Sequence, residues 1–135
     1  MSFEVRELNE GDIVEFDEHY GSARFGVVFG GNGMSPKSIG SAIFAHFGST
    51  ADEAIQHARA DTLKGIARDA YMAEFHSMHL FDPRFGTKYT NRTERQKTRI
   101  VGHIEIDKLK DDLSLKQQAE QYIALLKSNG EWVAS

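Results

Sequence analysis

The spacing of hydrophobic and polar positions changes near residue 50. Before it, the pattern alternates. Ile13-Val-Glu-Phe16 alternates apolar and acidic residues after the turn Asn9-Glu-Gly-Asp12, as a half-buried strand does. Ala23-Arg-Phe-Gly-Val-Val-Phe29 is a second strand, rich in aromatic and β-branched residues, and Glu18-His-Tyr-Gly-Ser22 is short enough to close a hairpin between the two. After the glycine-rich stretch Gly30 to Pro36, residues 39–47 predict a third strand with Ile39, Ser41, Ile43, Ala45 and Phe47 on one face. From Thr50 the period lengthens. Thr50-Ala-Asp-Glu53 has the form of a capping box, and Ala51, Ile55, Ala58, Thr62, Ile66 and Ala70 follow a helical stripe that Leu63, Ala67 and Ala73 widen. That helix is expected to run to about Ser77, with Gly65 as its weak point.

Residues 85–98 are polar and basic and read as a long loop or a ribbon tip. Alternation returns over 99–107. Ile100, Gly102, Ile104 and Ile106 are expected on one side, and Arg99, Val101, His103, Glu105 and Asp107 on the other. Asp111 or Asp112 can cap a last helix carrying Leu115, Ala119, Tyr122, Ile123 and Leu126. Asn129-Gly130 ends it, and Trp132 and Val133 fold back. The expected class is α+β. It is a mostly antiparallel sheet of about four strands, one long helix and a C-terminal helix, in the order β-β-β-α-β-α.

Composition narrows the picture without naming a chemistry. The chain has 135 residues, 40% apolar and 27% charged, which suits one soluble domain over 1–135. It has no cysteine, which removes disulfides, thiolate metal sites and cysteine catalysis and fits a reducing compartment. The acidic N-terminus is unlike a signal or transit peptide, so the expected location is cytoplasmic with no membrane contact. Charge is unevenly spread around a net −4. Residues 4–18 hold seven acids against Arg6 alone, and residues 84–99 hold six bases against Glu94 alone. Such complementarity either pairs within one fold or lets two copies meet, which leaves a homo-oligomer open.

Four groups of residues carry possible chemistry. Gly31-Asn-Gly-Met-Ser-Pro-Lys37-Ser38 approaches a phosphate loop, but Pro36 stands where a second glycine would donate its N–H. A looser anion-binding loop on Gly31, Gly33 and Lys37 remains. Six histidines include His76 and His79, three apart at the helix end, which could share a metal with Asp82 or His103. In Arg84 to Arg99, cations mix with Phe85, Tyr89 and many hydroxyls. Arg92, Arg95, Lys97 and Arg99 could neutralise phosphates while Tyr89 stacks on a base. An acidic protein partner, or a merely solvated loop, fits that composition too.

The fourth group is a set of carboxylates. Asp17 ends the first strand, Phe25-Gly-Val-Val lies in the second, and Ser49-Thr-Ala-Asp-Glu53 opens the helix. Over about residues 12–68 this order resembles the first half of ribonuclease H-like domains. The resemblance implies Asp17, Glu53 and Asp82 as ligands of two Mg²⁺ or Mn²⁺ ions in a metal-dependent phosphodiesterase. The chain departs from that pattern in its long first helix and in the proline after Asp82. Residues 8–29, with Gly-Asp before an alternating strand and then Gly26-Val-Val, resemble the start of SH3-like barrels found in nucleic-acid and ribosome-associated modules. The expected function is a non-enzymatic intracellular binding or regulatory protein, acting through charged surfaces on nucleic acid or a nucleic-acid-handling protein. The nuclease and a small anionic-ligand binder are the alternatives.

Overall fold

A computed structural model describes residues 3–4, 8–20, 23–29, 43–76, 89–92 and 97–133, with the backbone alone at 18–20, 23, 43–44 and 89–92. The fold is α+β. Its strands are β1 (Asp12–Tyr20), β2 (Ala23–Phe29), β3 (Ile43–Gly48), β4 (Tyr89–Arg92) and β5 (Thr98–His103). Its α-helices are α1 (Ala51–Phe75) and α2 (Leu113–Ser128), with a 3-10 helix at Ile106–Asp111. All pairings are antiparallel, in the order β4-β3-β2-β1-β5. Two compact units result: Met1–Ala58 with Lys88–Ile106, and Arg59–Thr87 with Asp107–Ser135.

In the first unit β4 and β5 are the two edges of the sheet, yet they are adjacent in sequence. The two faces of the sheet carry separate clusters. Val14, Phe16, Val28 and Ala45 are completely buried with Leu8, and Ile100 packs beside them. These described members include no helical residue. Gly26 leaves room for this cluster, because a Cβ there would sit 2.8 Å from the Cβ of Ala45 and 3.0 Å from the Phe16 ring. The opposite face carries Ile13 and Val27, packed with Ala51, Ala54, Ile55 and Ala58 of the first turns of α1.

The strict alternation expected over 99–107 is broken by a bulge. Ile13 pairs with Gly102 and Val14 with Ile100, so Val101 is the extra residue and stands exposed. One added residue reverses the parity of the chain beyond it. Ile100 joins the cluster of Val14, whereas Ile104 and Ile106 join the cluster of Ile13. The strand ends at His103 and the chain enters the 3-10 helix. A further correction concerns residues 89–92, expected in a loop or ribbon tip, which form a fifth strand pairing Tyr89 with His46 and Arg92 with Ile43.

In the second unit the core is aromatic. Tyr71, Leu126 and Trp132 are buried, with Phe75, Tyr122 and Ile123 against them. The Tyr71 hydroxyl donates to the Val133 carbonyl at 2.5 Å, and the Trp132 indole donates to Glu74 at 2.7 Å. Along α1 the buried positions are Ala54, Ala58, Ala67 and Tyr71, while Ala70 and Ala73 are exposed. The expected stripe is displaced because alanine occurs on several sides of this helix, and the larger side chains Ile55, Tyr71 and Phe75 settle which sides pack against a cluster. Asp112 caps α2 by accepting from the Leu115 N–H at 3.0 Å. Gly130 ends it at φ +76°, with Glu131 N–H donating to Leu126 and Gly130 N–H to Lys127. No described helix is long and apolar enough to cross a membrane.

Candidate functional site

The acidic and basic segments meet within one chain, because β1 pairs with β5. Glu15 stands opposite Arg99 in that register, and their carboxylate and guanidinium form an ion pair. Glu15 is 8% exposed, so its charge is stabilised by a cation held across the strand gap. The Arg99 guanidinium also lies 5.0 Å from the centre of the Phe3 ring. Of the expected phosphate contacts, Arg99 is thus engaged inside the fold. Lys97 is exposed, and its carbonyl accepts from the Asp17 N–H at 3.0 Å. Thr98 exchanges two backbone hydrogen bonds with Glu4. Arg92 closes β4 and Tyr89 opens it, both placed by backbone register, while Arg95 lies outside the described residues.

A second cross-strand pair lies at the other end of the same two strands. Asp12, 6% exposed, stands opposite His103, with Oδ1 at 2.9 Å from Nδ1 of the ring. Its Oδ2 accepts from the Asn9 N–H at 2.7 Å, and Glu105 approaches the far ring nitrogen at 3.5 Å. Both oxygens of this buried carboxylate therefore have partners, which is what allows its burial.

Thr50 caps α1 by accepting from the Glu53 N–H at 3.1 Å, while the Glu53 carboxylate reaches back one residue past the cap, accepting from the Ser49 hydroxyl at 2.6 Å and the Ser49 N–H at 3.2 Å. Asp17 is exposed on β1, and Asp82 lies outside the described residues. His76 is exposed just past α1, at φ +52°, and His79, Gly31, Gly33 and Lys37 lie outside the described residues. Among the described residues no group of three or more histidines, aspartates or glutamates could hold a metal ion.

The Phe29 and His46 rings are stacked, with centroids 4.5 Å apart and planes 18° from parallel. Phe29 ends β2 and His46 lies on β3, with no local sequence pattern linking them. Only the β2–β3 register brings them together, so this pair is invisible in the spacing of residues along the chain. In comparisons with known proteins, no family model, no curated protein and no solved structure matches the chain.

Proposed function

We propose that this is a small non-enzymatic binding protein that grips the phosphate backbone of nucleic acid, with Arg92, Arg95 and Lys97 as its contacts. The observation that carries this reading is where the described parts of the basic segment lie: β4, at one edge of the sheet, ends at Arg92, and β5, at the other edge, begins beside exposed Lys97. Cations at a sheet rim can follow a phosphate chain without entering the core. The resemblance of residues 8–29 to the opening of SH3-like barrels, a class used in nucleic-acid modules, supports the same reading. Arg99 is left out of the contact set because Glu15 holds it. Its role is to let an acidic β1 lie beside β5. No observation on the described residues favours the metal-dependent phosphodiesterase or the small anionic-ligand binder over this reading.

The test is fluorescence anisotropy with labelled single-stranded and duplex DNA and RNA over stepped salt. Binding is expected to weaken linearly in log–log form as salt rises. The triple reversal R92E/R95E/K97E is expected to abolish it. Salt-independent binding, or unchanged binding by the reversed protein, overturns the assignment. Binding to no strand at all also overturns it and leaves an acidic protein as the partner to seek.

A further inference from the structure

Of the two ring nitrogens of His103, one is already committed. Nδ1 lies 2.9 Å from Oδ1 of buried Asp12. A carboxylate can only accept, so Nδ1 carries the proton and the neutral ring keeps its lone pair on Nε2. Nε2 lies 3.5 Å from Oε1 of Glu105, two residues on. Both side chains are open to solvent, His103 at 43% exposure and Glu105 at 64%. The backbone that carries them is fixed. Ile104, between the two, donates its N–H to the Gly11 carbonyl at 2.9 Å. The ring lies against Gly11, since a Cβ there would stand 3.1 Å from its Cε1. Asp12 is itself held, its second oxygen accepting from the Asn9 N–H at 2.7 Å. The turn before β1 thus sets the ring and its tautomer, and an exposed carboxylate stands beside the nitrogen that remains.

The geometry points to a site for one divalent transition-metal ion, of the Zn²⁺ and Ni²⁺ class, between Nε2 of His103 and the Glu105 carboxylate. Two ligand atoms bound at about 2.0–2.2 Å in a tetrahedral shell stand about 3.4 Å apart, close to the 3.5 Å between Nε2 and Oε1. Asp12 acts through the ring. A carboxylate on the far nitrogen of a metal-binding histidine fixes the tautomer and makes the ring a better donor. Asp12 is a positioning residue and not a ligand, because both its oxygens are engaged. The protein therefore supplies two ligands, which agrees with there being no set of three among the described residues, and water fills the other positions. An imidazole beside one carboxylate suits Zn²⁺ and Ni²⁺. Mg²⁺ and Ca²⁺ take shells of oxygen and are not expected there. The site shares no residue with the proposed phosphate contacts.

The test is isothermal titration of the full chain, first stripped with a chelator, against Zn²⁺, Ni²⁺, Co²⁺ and Mg²⁺. Zn²⁺ is expected to saturate its tightest site at one ion per chain, Ni²⁺ to bind more tightly than Co²⁺, and Mg²⁺ to give no binding. His103→Gln keeps an amide donor for Asp12 but removes the imidazole, and is expected to abolish that site. Glu105→Gln loses a direct ligand and is expected to weaken it at least tenfold. Asp12→Asn touches no ion, yet is expected to weaken it about 10–100-fold by freeing the ring. Circular dichroism confirms that each variant is folded. If Asp12→Asn is not, the changes at the two exposed residues decide. His76→Gln is the control and is expected to leave the titration unchanged. Zn²⁺ binding that His103→Gln leaves intact, a loss with His76→Gln instead, equal affinity for Mg²⁺, or no saturable Zn²⁺ binding up to about 1 mM overturns the site.

Discussion

Gly11 shows how one residue can fix the joint between strands. Its φ is +93°, and a Cβ there would lie 2.1 Å from the carbonyl oxygen of Ile104. Its N–H donates to Val28 and its carbonyl accepts from Ile104, so the backbone has no freedom to retreat. Gly11→Ala is therefore expected to lose about 2 kcal/mol or more, read as a lowered denaturant midpoint. Arg99 is the second decisive residue. Arg99→Ala leaves the carboxylate of Glu15 buried without its cation. It is expected to cost about 2 kcal/mol, below the usual range for a buried pair because Arg99 is partly open to solvent. Nucleic-acid affinity is expected to stay within about twofold once the variant is folded, since the proposed contact set leaves the guanidinium out. A large loss of affinity in folded Arg99→Ala would return that residue to the contact set. Neither role can be read locally. Glu15 and Arg99 are 84 residues apart, and the charge runs announce complementarity without saying which pair meets.

At the scale of elements, the features legible in the sequence are those it encodes locally. The Thr50 cap, the Asp112 cap and the Gly130 terminus are set by residues three or four apart, and all are found in place. The alternation of β1 and the aromatic and β-branched run of β2 are equally local. The four-residue strand β4 is polar and owes its existence to pairing with β3, so nothing in its own composition distinguishes it from a loop. The Val101 bulge inserts one residue into a run that still alternates on paper. Two predictions belong to the helices. Gly65 lies inside α1, and a Cβ there would meet only a side-chain nitrogen of Arg68, at 3.9 Å. Gly65→Ala is expected to raise stability by about 1 kcal/mol in urea unfolding. At α2, the Leu115 N–H, and then the Arg59 guanidinium, hold the Asp112 carboxyl below its ordinary value of 3.8. The stabilisation is complete above that ordinary value and is lost as pH falls through the lowered one. Asp112→Asn keeps the cap but not the charge. It is expected to flatten the acid limb of the melting-temperature profile, whereas Asp112→Ala lowers the melting temperature at neutral pH as well.

For the whole molecule, the balance of charge and the division of the core point to different kinds of stability. The acidic and basic segments are joined through β1 and β5, so the Glu15 and Arg99 part of their complementarity is used within the chain. Their attachment depends on strand pairing and a buried ion pair, both in the first unit. The second unit depends on a separate aromatic cluster, in which Trp132 is 8% exposed and touches Tyr71 and Phe75 with ring centroids 5.2 and 6.4 Å away. The two clusters share no residue, although α1 runs unbroken from one unit into the other. Trp132→Ala removes the largest apolar side chain of the second cluster and the hydrogen bond to Glu74, a loss of about 3 kcal/mol or more. Because a helix frays from its end and the first turns of α1 are held by Ile13 and Val27, the loss is expected to be local. Amide hydrogen exchange should quicken in α2 and in the last turns of α1, while Val14, Phe16, Val28 and Ala45 keep their protection. Uniform acceleration through the sheet would show instead that α1 couples both clusters into one cooperative unit.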